Sequence, residues 1–399
     1  MPATILGPNA ARELVPGLAD TRNPNVWVYR FNEPTHGWQL SVATHAEPGS
    51  QKLSLGGFRI APVERTSAPG FTTDREAIAL AMGMEEKVYW SRIIGVGGPL
   101  ALRDIKRIVG GKCVLAPTPD ARIGQPNDAA LLDFAIDCFK QVECDAGIHI
   151  TTGQDLGHGL MHDGKTESLA YLNQRFAGSV VADTSVPTGE GNYQLLLGML
   201  RAAGLPAEKA TIGLIGCGNI GIHVVRRLLE DATDPSAADR IMVLESRQSR
   251  RDELEAMGIR TFGPEAKAGF LGLPLDALVI NAAGGTLDRA AVELCAGNPR
   301  LKVICGSENL VMPEAGLESI LLAAEKVYAP TELGGLMGYL TAVEEYLSVI
   351  EGVPFDVHTM LEAAKRLQTA GYETTTDVIV NGFKESFEDA VTAVYAGRS

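Results

Sequence analysis

A glycine-rich turn lies just past the middle of the chain, where the sequence is Gly216-Cys217-Gly218-Asn219-Ile220-Gly221. It follows an apolar run at residues 212–215 and precedes a stretch with apolar residues at helical spacing. A strand, a turn and a helix in this order form the usual binding site for a dinucleotide. The first glycine permits the tight turn, the second lets a pyrophosphate approach the backbone, and the third lets the helix pack close to the strand. The turn therefore predicts a dinucleotide site.

A carboxylate stands at the end of the next apolar run, where Glu245 follows residues 241–244. Such a carboxylate accepts hydrogen bonds from ribose hydroxyls and repels a 2′-phosphate, which favours NAD as the cofactor. Arg247, Arg250 and Arg251 follow closely and are able to bind that phosphate instead, so NADP stays open as the alternative.

The length of the chain predicts more than one domain. Its 399 residues exceed the usual size of a single hydrophobic core, and 45% hydrophobic with 21% charged residues is typical of a globular protein. The sequence pattern changes near residue 185. We therefore expect a first domain over residues 1–185 and a dinucleotide-binding domain over residues 186–345. Helices within residues 346–399 are expected to pack back on the first domain.

The periodicity of the two halves predicts different sheets. The first half has strand-like stretches at residues 26–29 and 39–44 and helical ones at 73–89 and 128–141, typical of a mixed sheet with flanking helices. A long helix over residues 186–203 leads into the second half. There, nearly all-apolar strands alternate with helices, which indicates a parallel, doubly wound sheet covered on both faces. The predicted fold is α/β with two domains.

Charge and composition restrict the partners. A formal net charge of −14 disfavours nucleic acid, which requires a basic surface. The first 25 residues resemble no secretion signal and no stretch predicts a membrane helix, so we expect no membrane partner. The six cysteines form no CxxC pair, which indicates a reducing cytoplasm. The seven histidines lack ligand spacing, so no metal is predicted.

Six segments, in family order, resemble motifs of the glutamate/leucine/phenylalanine/valine dehydrogenase superfamily, the amino-acid dehydrogenases. The resemblance extends over about residues 26–346. LGGFRI at residues 55–60 resembles LGGTRM, AMGMEEK at 81–87 resembles ARGMTYK, GGKCVL at 110–115 resembles GGKAVI, QDLG at 154–157 resembles EDVG, VPTGEG at 186–191 resembles PVTAYG, and KVICGSEN at 302–309 resembles KVIAGSANN.

This resemblance implies a homo-oligomeric oxidoreductase that converts a 2-amino acid to a 2-oxo acid and ammonia, or the reverse. The first domain would bind the substrate and form the oligomer. Lys112 would be the acid/base lysine, Asp155 would handle the proton of the amino group, and Lys87 would bind the substrate carboxylate beside Gly57 and Met84. Lys112 follows two glycines and precedes an apolar run, a setting that lowers a lysine pKa by desolvation. The implied cofactor contacts are Thr188, Gly216, Gly218, Asn219, Ile220, Gly221, Glu245, Ala282, Ala283 and Asn309.

Three departures from the family pattern bear on the substrate. Phe58 replaces the motif's threonine, and the segment between Lys87 and Lys112 is longer and carries the basic residues Arg103, Lys106 and Arg107. The stretch YAPTELGG at residues 328–335 lacks the asparagine of the family's Asn-Ala-Gly-Gly motif.

These departures leave several hypotheses. An apolar or aromatic substrate side chain is expected, because the candidate pocket segments supply Leu55, Phe58, Met84, Leu336 and Met337, while a dicarboxylate requires a second cation. One alternative is an imine or ketone reductase of a specialised biosynthetic pathway on the same fold. Another is a non-catalytic dinucleotide-binding regulatory protein.

Overall fold

The structure is a computed structural model that describes residues 2–232 and 234–397. The chain divides into two compact units. The first comprises the residues through Tyr89 together with Gly98–Thr184 and Tyr339–Phe355. The second comprises Trp90–Gly97, Ser185–Gly338 and the residues from Asp356 onward.

A mixed six-stranded sheet forms the centre of the first unit, with the strand order β1-β2-β3-β5-β4-β6. The pairs β1/β2, β2/β3 and β3/β5 are antiparallel, whereas β4 pairs in parallel with both β5 and β6. The strands are β1 (Thr4–Leu6), β2 (Trp27–Glu33), β3 (Trp38–Thr44), β4 (Leu53–Ile60), β5 (Ile108–Ala116) and β6 (His149–Gly153).

Helices flank this sheet and bury its apolar side chains. They are α1 (Pro8–Leu14), α2 (Val63–Thr66), α3 (Thr73–Ile94), α4 (Pro99–Arg103), α5 (Asp128–Ala146) and α6 (Ser168–Asn173), with 3₁₀ turns at Pro16–Asp20 and Ile105–Arg107. The residues of α3 from Trp90 onward belong to the second unit. Phe31, Phe58, Leu115 and Phe139 are fully buried in one core cluster that joins the strands to α5.

The second unit is built on a six-stranded parallel sheet. In order along the sheet its strands are β9-β8-β7-β10-β11-β12, the arrangement 3-2-1-4-5-6 of a doubly wound dinucleotide-binding fold. The strands are β7 (Ile212–Ile215), β8 (Ile241–Leu244), β9 (Arg260–Phe262), β10 (Ala277–Ile280), β11 (Val303–Gly306) and β12 (Val327–Tyr328). The predicted fold class, α/β with one mixed and one parallel sheet, is confirmed.

The helices of the second half follow the strands in alternation and then form a C-terminal group. They are α7 (Ser185–Ala202), α8 (Asn219–Glu230), α9 (Gln248–Ala256), α10 (Lys267–Leu271), α11 (Arg289–Gly297), α12 (Glu318–Ala323), α13 (Thr331–Gly334), α14 (Leu336–Glu351), α15 (Val357–Ala364), α16 (Arg366–Val380) and α17 (Phe387–Ala396), with 3₁₀ turns at Pro235–Arg240 and Pro264–Ala266. From Tyr339 onward, α14 lies in the first unit.

The C-terminal helices pack differently from the expectation. Only the part of residues 346–399 that ends at Phe355 lies in the first unit, whereas α15, α16 and α17 lie in the second. Two glycines bring α16 close to α7: a Cβ at Gly198 would lie 2.1 Å from the Gln368 carbonyl oxygen, and one at Gly371 would lie 2.7 Å from the Leu195 carbonyl oxygen. These contacts hold α16 on the long helix that precedes the parallel sheet. Among the described residues, no helix is both long enough and apolar enough to cross a membrane.

Candidate functional site

A lysine and a carboxylate meet at neighbouring strands of the first unit. Lys112 lies on β5, and Asp155 lies two residues beyond the end of β6. Strand β4 runs between them, and its Gly57 pairs in parallel register with Gly153 of β6. A Cβ at Gly57 would lie 2.9 Å from Lys112 Nζ and 3.2 Å from Asp155 Cβ. The strand therefore has a glycine where the lysine and the aspartate come together, and the structure unites three of the predicted site residues.

Lys112 and Asp155 form a buried ion pair. Their side chains are 5% and 8% exposed. Burial lowers the pKa of Lys112 and the positive charge of Arg59 lowers it further, although Asp155 acts in the opposite direction. Burial by itself opposes ionisation of Asp155, but the charges of Lys112 and Arg59 outweigh it and hold the pKa of Asp155 well below its ordinary value. The pair thus combines a permanent carboxylate with an ammonium that releases its proton more readily than an ordinary lysine does.

Hydrogen bonds fix the orientation of the Asp155 carboxylate. Its Oδ1 accepts from the Leu156 backbone N–H at 2.7 Å and from Arg59 Nη2 at 3.3 Å, and its Oδ2 contacts Lys112. His158, in the same loop, has both ring nitrogens engaged: Nε2 donates to the Phe58 carbonyl oxygen at 2.7 Å, and Nδ1 lies 3.1 Å from Ser168 Oγ. These contacts anchor the loop that carries Asp155.

Met84 and Lys87 lie on α3, which packs on the same sheet. Between them along the helix, Glu85 Oε2 accepts from the Gly110 backbone N–H at 2.6 Å, two residues before Lys112. Both predicted substrate residues are buried, and the Lys87 carbonyl oxygen accepts from the Tyr339 hydroxyl at 3.3 Å. The helix therefore holds them over the strand that carries Lys112.

Phe58 does not line this cluster. Successive side chains of a strand point to opposite faces, so Phe58 points away from Gly57 and Arg59. Its ring packs edge-on against Phe139, with 5.1 Å between the ring centroids. The sequence-based assignment of Phe58 to the substrate pocket is therefore wrong, because its ring belongs to the core cluster. Leu336 and Met337 are also fully buried, within the second unit.

The basic residues between Lys87 and Lys112 lie on the surface. Arg103, Lys106 and Arg107 are exposed. Arg103 pairs with Glu351 and donates to Asp104 at 2.9 Å, and the backbone N–H groups of Leu100 and Ala101 donate to the Glu344 carboxylate. The extra segment is therefore held to α14 through its own ion pairs.

Among residues 2–232 and 234–397, no group of three histidine, cysteine or acidic side chains is placed to hold a metal ion.

In the second unit, the glycine-rich turn has the geometry of a dinucleotide site. The turn follows β7, next to β10, where the strand order reverses. Gly216 has a φ of +81°, and a Cβ there would lie 2.6 Å from the Asn281 carbonyl oxygen. A Cβ at Gly221 would lie 2.5 Å from the Gly216 carbonyl oxygen, so α8 packs tightly on the turn. At Gly218 a Cβ would meet only Arg247 Nη2, at 3.7 Å, which leaves its backbone open to a phosphate. Asn219 and Ile220 form the first turn of α8.

Glu245 is turned toward this glycine-rich turn. Its carboxylate accepts from the backbone N–H groups of Cys217, at 2.8 Å, and Arg247, at 2.9 Å. Burial opposes its ionisation, but these hydrogen bonds outweigh burial and hold the pKa of Glu245 below the ordinary value. Arg247 Nε also lies 3.3 Å from the carboxylate, and its side chain is 55% exposed. A buried negative charge and an exposed positive one thus flank the second glycine.

The other predicted cofactor residues follow the neighbouring strands. Ala282 and Ala283 are exposed in the loop after β10. A Cβ at Gly284 would lie 3.4 Å from the Asn309 carbonyl oxygen, so this loop meets the one after β11. Thr188 is buried on α7, and its neighbour Gly189 packs on α8, where an added Cβ would lie 2.9 Å from the Ile220 carbonyl oxygen. The predicted residues therefore border the carboxyl ends of β7, β8, β10 and β11 and the start of α8.

Two residues of this region were not predicted. Glu308 is buried and accepts from the backbone N–H groups of Ala282 and Thr286 and from the Thr286 hydroxyl. Burial raises its pKa, and these hydrogen bonds offset that effect only in part. The sequence signal was a glutamate at a position where the family motif has alanine. Asn192 donates from Nδ2 to the carbonyl oxygens of Thr188 and Gly334. An asparagine from α7 thus contacts the stretch of residues 328–335, which lacks the asparagine of the family motif.

One group of residues surrounds Lys112 in the mixed-sheet unit, and the other surrounds the glycine-rich turn in the parallel-sheet unit. With the fold, they define an α/β protein of the dinucleotide-binding class that carries a second, mixed-sheet unit.

No family model matches the chain. It is 30% identical over 179 residues to the valine dehydrogenase of Streptomyces virginiae, a match that covers 44% of this chain and 46% of that protein. The valine dehydrogenase of Streptomyces albus is 28% identical over 217 residues, 53% of each chain. The chain thus spans about half the length of the curated relatives that it matches.

Solved structures match over nearly the whole chain. The L-tryptophan dehydrogenase of Nostoc punctiforme superposes with a TM-score of 0.61 at 16% identity, covering 93% of this chain and 94% of that one. A glutamate dehydrogenase of Plasmodium falciparum gives a TM-score of 0.64 at 13% identity, covering 98% and 85%. At such identities the match establishes the fold. Together with the sequence matches, it confirms the predicted resemblance of the chain to the amino-acid dehydrogenases.

Proposed function

We propose that this chain is a NAD-dependent oxidoreductase that interconverts a 2-amino acid with the corresponding 2-oxo acid and ammonia. The observation that carries the proposal is the buried Lys112–Asp155 pair beside Gly57. Removing a proton from a substrate amine or an attacking water is easier for a base whose pKa is shifted toward the working pH, and burial lowers the pKa of Lys112 in that direction. The names of the valine dehydrogenase relatives support the same class of reaction.

The chain's own residues take three roles in this proposal. Lys87, buried on α3, binds the substrate carboxylate. Lys112 in its neutral form takes a proton from the water that attacks the substrate carbon and returns it in the reverse direction. Asp155, held as a carboxylate, accepts hydrogen bonds from the substrate's amino group and orients it. The dinucleotide, when bound, accepts the hydride.

For the cofactor we propose NAD. Glu245 is ionised and lies at the glycine-rich turn, where its charge opposes a 2′-phosphate. Gly216, Gly218 and Gly221 each meet the steric requirement of a pyrophosphate-binding turn. Arg247 keeps NADP as the alternative, because its exposed guanidinium lies 3.7 Å from the position of a Cβ at Gly218.

For the substrate we propose an apolar or aromatic side chain. Arg103 is exposed and paired with Glu351, so we do not assign it to a second substrate carboxylate. The relatives named for valine are consistent with this choice. We also propose that the protein is a homo-oligomer that binds no nucleic acid.

A second candidate is an imine or ketone reductase. It is favoured by one observation, the absence of an asparagine side chain from residues 328–335. A reductase would consume reduced cofactor with an imine or ketone and would not release ammonia from an amino acid.

The test follows nicotinamide absorbance with valine, leucine, phenylalanine, tryptophan, glutamate and aspartate, each with NAD and with NADP. Lys112→Met is the matched control, because methionine keeps the unbranched side chain as far as Cε and removes the amine. The proposal is supported if the natural chain oxidises an amino acid and the Lys112→Met variant does not. Turnover with ketones or imines alone indicates the reductase, and cofactor binding without any turnover indicates a regulatory protein.

A further inference from the structure

A buried arginine stands behind the Lys112–Asp155 pair. Arg59 lies two residues after Gly57 on β4, so both face the same side of the strand. Its side chain is 3% exposed. Nη1 donates to Glu76 Oε1 at 2.8 Å, and Nη2 donates to Asp155 Oδ1 at 3.3 Å. The guanidinium therefore joins the carboxylate of the proposed site to a second carboxylate on α3.

The chain of charges continues outward from Glu76. Its other oxygen, Oε2, lies 2.9 Å from Arg65 Nε, and Arg65 is 40% exposed. Arg59 thus stands second in an alternating series that runs from Asp155 through Glu76 to the surface. Burying a guanidinium is costly unless it is paired, and Arg59 is paired through Nη1 and Nη2 with two different carboxylates, although its buried Nε has no hydrogen-bond partner among the described residues.

We propose that Arg59 is a positioning residue of the reaction described above: it holds Asp155 in place and supplies a fixed positive charge that favours the neutral form of Lys112. This inference rests on the proposed function of Lys112 and Asp155. It differs from a purely structural role, in which the ion pairs would only join β4 to α3. The two roles predict different responses to pH.

Several charged or titratable groups act on Lys112. Asp155 favours the charged form of Lys112, and so does the neighbouring Cys113 on β5. Arg59 favours the neutral form of Lys112, in the same direction as burial. His158 lies in the Asp155 loop, and burial lowers its pKa, so it adds little positive charge near neutral pH. Arg59 is therefore a fixed cation that opposes the Asp155 charge at Lys112.

The experiment measures the protonation of Lys112 directly. The folded protein is treated with acetic anhydride over a range of pH, and acetylation of the Lys112 peptide is quantified by mass spectrometry. The pH at which its labelling rate is half-maximal is compared among the natural chain, Arg59→Met, Glu76→Gln and Arg65→Met. Arg65→Met is the matched control, since it removes the same charge from an exposed position. Circular dichroism melting shows which variants fold.

Arg59→Met and Glu76→Gln, the variants at the two buried positions, are expected to shift the labelling midpoint of Lys112 in opposite directions. Arg59→Met removes a cation and raises the midpoint by about one pH unit, whereas Glu76→Gln removes an anion and lowers it. Arg65→Met leaves it unchanged. The pH profile of kcat/KM moves in the same directions. Should Arg59→Met fail to fold, Glu76→Gln still decides the question. If the folded variants at Arg59 and Glu76 have the same midpoint as the natural chain, the inference is overturned and Arg59 has only a structural role.

The labelling experiment needs no substrate, so its outcome is separate from that of the proposed function. If the midpoints shift as expected while no amino acid is oxidised, the arrangement of charges is right and the proposed reaction is wrong. If amino acids are oxidised while the midpoints do not move, the reaction stands and the role of Arg59 falls.

Discussion

Gly57→Ala tests whether Lys112 must lie where the structure places it. The added carbon would be 2.9 Å from Lys112 Nζ and 3.2 Å from Asp155 Cβ. Non-bonded contacts shorter than about 3.4 Å are repulsive, so the ammonium has to move by roughly half an ångström. Gly57 is not among the glycines with positive φ, so alanine fits its backbone. Because small displacements of a catalytic group are costly, we expect kcat to fall by about 10- to 100-fold.

The assay compares kcat, KM and the melting temperature of Gly57→Ala with those of the natural chain on its best amino acid. We expect KM and melting temperature to change little, since the flexible end of a lysine absorbs the contact. Gly56→Ala is the contrasting variant, because its Cβ would lie 1.9 Å from the Gly111 carbonyl oxygen. A backbone atom moves less easily than the end of a lysine side chain, so we expect this variant to have a lower melting temperature. A folded Gly57→Ala whose kcat stays within about twofold of the natural value would refute this reasoning.

Four further outcomes are expected. Lys112→Met abolishes turnover and leaves NADH affinity, measured by fluorescence titration, within about twofold, because the lysine and the glycine-rich turn lie in different units. Glu245→Gln raises the ratio of kcat/KM with NADP to that with NAD, because it removes the charge that opposes a 2′-phosphate. In amino-acid oxidation, kcat/KM rises with pH through the pKa of Lys112, with a midpoint below that of an ordinary lysine. Gly198→Ala lowers the melting temperature by several degrees, because its Cβ would lie 2.1 Å from the Gln368 carbonyl oxygen.

The parallel sheet was predictable because its signals are local. Apolar runs such as the one preceding Gly216 alternate with amphipathic helices, and each of these signals needs only a few neighbouring residues. The glycine-rich turn is predictable for the same reason, since its steric requirements concern the backbone within six positions. The roles of Gly216 and Gly221 therefore followed from spacing alone.

The position of the last helices was not predictable in this way. Helix α16 is amphipathic, but an apolar stripe does not identify the surface that covers it. What places α16 on α7 is the pairing of Gly198 with Gly371, two glycines far apart in sequence. The core position of Phe58 was missed for a related reason. The motif aligned it with a pocket residue, whereas the alternation of β4 turns its ring toward Phe139.

The candidate site was predictable in its residue types and not in its charge balance. The motif that contains Gly57 also contains Arg59, yet only the structure shows that Arg59 reaches Asp155. Likewise, Glu308 was visible as a departure from the family motif, but its three hydrogen bonds with Ala282 and Thr286 depend on the meeting of two loops. Long-range ion pairs of this kind leave no periodic signal in a sequence.

The same charge balance argues for a substrate with a single carboxylate. Lys112 already contacts Asp155, and Arg59 is shared between Asp155 and Glu76. A second substrate carboxylate, bound at either cation, would have to displace one of these buried carboxylates and leave it without its partner. Breaking a buried ion pair in this way costs about 3–5 kcal/mol. An apolar side chain requires no such exchange, because it carries no charge that competes for Lys112 or Arg59. We therefore expect the buried ion pairs around Lys112 to disfavour glutamate and aspartate, in agreement with the proposed apolar substrate.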